Sequence, residues 1–447
     1  MRFVSTRGAA PPVAAGAAML AGLAPDGGLY VPAAFPALDT EALAGRATLA
    51  GAAAVALAPF VAGDALAAEL DAVCAEALDF PVPLSDAGDF RVLELFHGPT
   101  AAFKDVGARF LAACLARLGD GQARTVLVAT SGDTGGAVAA AFSGRPGFRV
   151  VLLYPRGRVS DRQEAQLTAW GGNVLSLRVD GDFDDCQRMV KEVFADAGLR
   201  AGAGLTSANS ISIGRLLPQM AYYAWASLKL QRETGVEPGF VIPSGNLGNS
   251  LACMWARRCG LPIGPIVLAT NANEAVGKFF AGGAWAPRPT VQTLATAMDV
   301  GNPSNMERLL HHAGSEAAAR GEARAMQVSD TEIRDTIRAG PARYGRTWCP
   351  HTATAVRAWE ALGDEGRDRP WVVVATAHPA KFEDVVEPLV AAPVPLPPAL
   401  AELLARPRHF VEIGPDAPAL ATLLRGHCSA GAVSPSSLSQ DRGTAPS

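Results

Sequence analysis

The sequence predicts an α/β fold in which parallel strands are covered by helices on both faces, and two observations predict it. From about residue 90 onward, short β-branched apolar runs alternate with helical patterns of ten or more residues: Thr125 to Thr130, Arg149 to Tyr154, Phe240 to Ile242, Ile266 to Ala269 and Trp371 to Ala375. Runs that stay apolar at successive positions belong to strands buried on both sides. The second observation is compositional. With 447 residues, 49% of them hydrophobic and 18% charged, the chain can bury most of its unfolded apolar surface without disulfides or metals.

Residues 1–86 are Ala/Pro/Gly-rich and helical in pattern, interrupted by Gly27-Gly28-Leu29-Tyr30-Val31-Pro32, where a Gly pair and a closing Pro punctuate a short strand. Ala47 to Gly63 is the most apolar stretch, but it is mostly alanine, contains Pro59 and meets Asp64. It falls short of the ~20 strongly apolar residues of a spanning helix and reads as a soluble one. The alternating region occupies 87–385. Its part from about 284 to 350 is more irregular, although Ser329-x-x-Glu332 ahead of Ile333 and Ile337 has the form of a capping box opening a helix. Residues 386–447 form a C-terminal extension whose Ser-, Gly- and Pro-rich end, from about 428, is expected to be flexible.

Charge narrows the partners. There are 39 basic and 43 acidic side chains, a net charge of -4, and no Lys/Arg cluster interleaved with aromatics, so neither nucleic acid nor membrane is an expected partner. Cys74, Cys114, Cys186, Cys253, Cys259, Cys349 and Cys428 are scattered singly, without C-x-x-C pairs, and read as buried reduced thiols; no metal site is expected. Arg7 and Pro11-Pro12 interrupt the apolar core a secretory signal needs, which makes the cytoplasm the expected location. Monomer and homodimer are left open.

In open α/β sheets ligands bind beyond the carboxyl ends of strands, so the strand-to-helix turns hold the candidate site. The first is Ser131-Gly132-Asp133-Thr134-Gly135-Gly136, where small residues and hydroxyls at a helix start leave backbone N–H groups for a carboxylate or phosphate, or simply cap the helix. The second is Pro243-Ser244-Gly245-Asn246-Leu247-Gly248-Asn249, a phosphate cup that has neither the G-x-G-x-x-G spacing of a dinucleotide site nor the Gly-Lys-Ser/Thr of a Walker loop. The third is Thr376, at the end of an apolar strand and ahead of Ala377-His378-Pro379-Ala380-Lys381-Phe382.

Lysine singles out the chemistry. It occurs only at 104, 191, 229, 278 and 381. Lys104 lies just inside a predicted helix start among small and apolar residues, where it faces the positive end of the macrodipole and gains no stability from it. Desolvated there, its amine has a lowered pKa, as Schiff-base chemistry needs; the bland alternative is a surface lysine snorkelling past apolar neighbours. Lys191 and Lys229 fit that alternative, while Lys278 and Lys381 stay open.

Glu94-Leu-x-His97-Gly98-Pro99-Thr100-x-Ala102-Phe103-Lys104-Asp105 resembles the lysine segment of threonine synthases, pyridoxal-phosphate enzymes of the tryptophan-synthase-β fold type. Further matches run in order from residue 4 to about 385: Val4-Ser5-Thr6-Arg7-Gly8, Leu23 to Pro32, Ser131 to Gly135, Gln163-Glu164-Ala165-Gln166, Ser207 to Ile211, Met298 to Asn305, His351-Thr352-Ala353 and Ala375 to Phe382. The resemblance implies two α/β subdomains clasping pyridoxal 5'-phosphate, with a mainly helical N-terminal domain. It implies conversion of O-phospho-L-homoserine and water to L-threonine and phosphate. Lys104 becomes the Schiff-base and catalytic residue. Gly245, Asn246, Leu247, Gly248 and Asn249 take the cofactor phosphate, and Thr376 its pyridine nitrogen. Ser131, Gly132, Asp133 and Thr134 take the substrate carboxylate, and Asn209, Ser210 and Arg215 its phosphate. Two positions depart from the family pattern: Leu247 replaces a Phe, and Ser212 an Asn. The rivals are a phospholyase releasing 2-oxobutyrate from the same substrate, a serine/threonine dehydratase, and, from another class, a nucleotide-binding α/β protein using the glycine turns.

Overall fold

The structure is a computed structural model that describes residues 1–119, 121–130 and 132–429, with backbone alone for 427–429. It contains two parallel-rich sheets and a small ribbon. The ribbon pairs β1 (Phe3–Ser5) antiparallel with β2 (Tyr30–Pro32). The remaining strands are β3 (Leu84–Asp86), β4 (Arg91–Glu94), β5 (Arg124–Ala129), β6 (Phe148–Pro155), β7 (Val174–Val179), β8 (Leu205–Thr206), β9 (Gly239–Pro243), β10 (Ile266–Thr270), β11 (Arg324–Gln327), β12 (Trp371–Ala375) and β13 (Val411–Ile413). One sheet has the order β11-β10-β9-β12-β4-β3, and only its β3–β4 pair is antiparallel. The other, β13-β7-β6-β5-β8, is wholly parallel.

The expected apolar runs fall on β5, β6, β9, β10 and β12, whose residues are buried almost throughout. β7 escapes a reading by apolar runs because Ser176 and Arg178 interrupt it. Tertiary partners satisfy both: Ser176 donates to the Leu167 carbonyl at 2.7 Å, and Arg178 pairs with Glu164 and Glu412. The alanine-rich segment forms the helix Leu49–Val61, capped by the Thr48 hydroxyl and containing Pro59. Among the described residues no helix is long and apolar enough to cross a membrane. The Ser329 capping box is formed and opens the helix Asp330–Tyr344.

Residues beyond 385 join the fold. β13 extends the five-stranded sheet beside β7, and Leu420 and Leu424 are buried in one apolar cluster with Met189 and Val193. Most of the tail expected to be flexible, from 430 onward, lies outside the described residues.

Candidate active site

The carboxyl ends of β5, β9 and β12 open onto one cavity of about 1440 Å3, whose wall also includes Arg7 and parts of 21–29 from the N-terminal region. Lys104 is the first residue of the helix Lys104–Arg117 and reaches this cavity with a side chain 14% exposed. The turn before it is built by Asp105. Its buried carboxylate accepts from Thr100 N at 2.9 Å and Thr100 Oγ1 at 2.6 Å. Gly98 is required beside it, since a Cβ there would lie 2.5 Å from Asp105 Oδ2. Ala101 takes a left-handed φ of 53° in the same turn. Burial lowers the Lys104 amine to about 8, aided by the Lys381 and Arg215 cations and opposed by Asp133.

Asp133 stands at the head of the helix Asp133–Phe142. Its Oδ2 is 3.8 Å from Lys104 Nζ, while Oδ1 meets Lys381 Nζ at 2.9 Å and Gln163 Nε2 at 3.2 Å. Burial opposes its ionisation, but Lys381 and Lys104 prevail and hold it below the usual carboxylate range. Gly132, at φ 133°, presses against Gln163 and gives its N–H to Thr130 Oγ1; Thr134 lines the cavity. Ser131 lies outside the described residues.

The glycine cup follows β9. Leu247 holds φ 60°, belongs to the apolar core and lines the cavity. The helix Gly248–Arg258 that follows has no side-chain cap. Gly245 is flush against Met298, where a Cβ would lie 2.6 Å from its Cα, whereas a Cβ on Gly248 would meet nothing nearer than Asn305 Nδ2 at 3.4 Å. Asn249 Oδ1 accepts from Tyr222 and Tyr223, and its Nδ2 is buried without a partner.

Asn209, Ser210 and Arg215 line the same cavity. Asn246 Nδ2 donates to Ser210 Oγ at 2.5 Å, which joins the two expected anion positions in one network. Asn209 Oδ1 and Arg215 Nε are buried with no partner, and Arg215 gives Nη1 to the Ala208 carbonyl. Ser212, the second position that departs from the family pattern, is 0% exposed, away from the cavity wall, with its hydroxyl unpartnered. Thr376 lies on the wall just past β12, and its carbonyl accepts from Phe103 N at 2.8 Å.

Four residues carry more of the site than sequence reasoning assigned them. His351 lines the cavity, accepts from Ala297 N at 3.0 Å through Nε2, leaves Nδ1 unpartnered, and is held at about 4 by burial. Asn305 donates to the Asn246 carbonyl at 3.0 Å. Arg308, fully buried, spans the Tyr30, Ser210 and Ile211 carbonyls and Asn305 Oδ1. Lys381 is 0% exposed and gives Nζ also to the Thr100 carbonyl at 2.7 Å. The signal for Asn305, His351 and Lys381 was their place in the collinear motif segments 298–305, 351–353 and 375–382; Arg308 lies outside them, and no spacing rule reaches it.

An amine with a pKa lowered by burial, beside a glycine cup with orphaned polar atoms between two parallel-rich sheets, fits pyridoxal phosphate, and that is the class to which the chain belongs. Residues 90–377 match the family described as pyridoxal-phosphate dependent enzyme, 2–78 the threonine synthase N terminus and 352–423 the threonine synthase C-terminal region. The threonine synthase of Serratia marcescens is 44% identical over 73% of this chain and 75% of its own length. That of Haemophilus influenzae is 41% identical over 85% and 89%. The structure of the threonine synthase of Brucella melitensis with pyridoxal phosphate bound superposes with a TM-score of 0.89 at 36% identity, covering 96% of this chain and all of that one. The chain belongs to the threonine synthase family.

Proposed function

We propose that this chain converts O-phospho-L-homoserine and water into L-threonine and inorganic phosphate, by loss of the γ-phosphate and addition of water at Cβ. The observation that carries the reading is one largely desolvated amine, Lys104, in a cavity that also holds the Gly245–Asn249 cup and the unpartnered Arg215 Nε and Asn209 Oδ1. Bound pyridoxal phosphate supplies the electron sink for charge left at Cα. Every other duty falls to side chains and backbone of the chain.

Lys104 would hold the cofactor, and its amine would hold and move protons at Cα and Cβ. The Gly245, Asn246, Leu247, Gly248 and Asn249 backbone, at an uncapped helix N-terminus, takes the cofactor phosphate. The Thr376 hydroxyl, on the cavity wall, would hold the pyridine nitrogen. Ser131, Gly132, Asp133 and Thr134 are assigned the substrate carboxylate, with Asp133 Oδ1 held by Lys381 and Gln163 and Oδ2 facing Lys104. Arg215 with Asn209 and Ser210 takes the leaving phosphate, for which a guanidinium offers two parallel donors. The cytoplasm is the proposed compartment, in keeping with six described cysteines that are all free and buried.

The test is incubation of the purified chain and cofactor with O-phospho-L-homoserine while phosphate, threonine and keto acid are measured together. Threonine equal to released phosphate is expected. Phosphate release matched by 2-oxobutyrate would assign the phospholyase reaction instead.

A further inference from the structure

Lys381 and Asp133 form the most buried ion pair among the described residues, at 0% and 3% side-chain exposure. Stability alone does not select such a pair, because desolvating two charges costs about what their attraction returns, and apolar replacements are often neutral. Its position suggests another use. Asp133 follows β5 of one sheet and Lys381 follows β12 of the other, so the pair bridges the two sheets beneath the cavity. The turn bearing Lys381 is fastened from the helix Asp161–Thr168: the Ser160 hydroxyl, its N-cap, donates to the Lys381 carbonyl at 2.9 Å, and Arg162 donates to that of Ala380 at 2.7 Å. These bonds hold the Lys381 backbone, and its ammonium is bonded to Asp133 Oδ1 and the Thr100 carbonyl. One Asp133 oxygen is taken by that ammonium, and the other faces Lys104.

We propose that Lys381 is a positioning residue for Lys104: by occupying Oδ1 of Asp133 it divides that carboxylate between two amines, so that Asp133 steers the Lys104 amine through Oδ2 without fixing it as an ammonium. A carboxylate left wholly to Lys104 would pair with it as an ion pair and withhold the lone pair that attacks a carbonyl. The charged and titratable groups around Lys104 are Asp133 and Lys381, Arg215 from the helix Ile213–Leu216, His351 at the head of the helix Pro350–Glu360, and Asp105, which is turned toward Thr100. Of these, Lys381 alone shares the carboxylate that touches Lys104.

The proposal rests on Lys104 being the cofactor-bearing lysine, and its test reads the amine without the cofactor. Full-length chain freed of pyridoxal phosphate is treated with acetic anhydride, which acylates only uncharged amines, across pH 6 to 10, and labelling is quantified by peptide mass spectrometry. The exposed lysines 229 and 278 serve as internal standards. The Lys104 labelling midpoint should lie near 8. In Lys381→Met it should rise by roughly one pH unit, a tenfold loss of labelling at neutral pH, and Lys381→Arg should restore it. Asp133→Asn should move it the other way, and if Lys381→Met does not fold, Lys381→Gln takes its place with the same expected rise. An unchanged midpoint in Lys381→Met, or an unchanged or raised one in Asp133→Asn, overturns the proposal. If Lys104 is not the cofactor lysine at all, reductive trapping of the holoenzyme will map elsewhere, whatever the labelling curves show.

Discussion

Single residues divide the site into parts that build it and parts that meet ligands, and the two glycines of the cup separate them. A Cβ on Gly245 collides with Met298 backbone, so Gly245→Ala should lower the thermal midpoint. A Cβ on Gly248 has room within the protein. Gly248→Val should therefore fold while losing pyridoxal-phosphate affinity by roughly tenfold, about 1.4 kcal/mol, in an equilibrium titration; full affinity in a folded variant would move the phosphate away from the cup. Thr376→Asp tests the ring contact. A carboxylate at the pyridine nitrogen would favour its protonation and strengthen the sink, so the absorption of bound cofactor and the ratio of threonine to keto acid should both change. A mere strand-end cap predicts lost stability and an unchanged spectrum.

At the scale of elements, what was legible in the sequence is what local physics dictates. The apolar runs of β5, β6, β9, β10 and β12, the capping box at Ser329 and the lysine at a helix start each follow from neighbours in the chain. β7 and β13 were not legible, because β7 carries a buried Ser and an Arg satisfied by residues distant in sequence, and three-residue β13 is defined only by pairing with β7. Arg308 shows the same limit. Nothing near it in sequence says that its guanidinium ties β2 to the 210 loop and to Asn305 beneath the cup. Arg308→Met should leave those oxygens unsatisfied and cost on the order of 3 kcal/mol in urea unfolding, with weaker cofactor retention. Stability within experimental error of the parent would show that water replaces the guanidinium at no cost.

The whole molecule carries its buried histidines neutral. Burial foremost holds His312, His351 and His378 at about 4, below the ordinary 6.5. A base with a lowered folded value stabilises fully above its unfolded value and loses that contribution as pH falls toward the folded one. The thermal midpoint should thus fall between about pH 6.5 and 4. Glu94 adds a lower step: against burial, the bonds from His97, Ser85 and Arg346 bring it to about 2, so its contribution disappears from 4.5 downward. Asp299, pushed up to about 6 by burial, acts in the opposite sense and only softens the first step. A midpoint flat from pH 7 to 4 would contradict this balance. We also propose that 1–86, 87–385 and 386–447 act as the units of the chain, with the third required for solubility. Ending the chain at 385 would bare the Met189 cluster that Leu420 and Leu424 cover, and should yield aggregated protein.

The central claim is that Lys104 carries the cofactor while Lys381, the other buried lysine, holds Asp133. Borohydride reduction of the holoenzyme followed by peptide mapping tests it most directly. The account predicts a single phosphopyridoxyl adduct on the peptide containing Lys104; an adduct on Lys381 or Lys278 would contradict it.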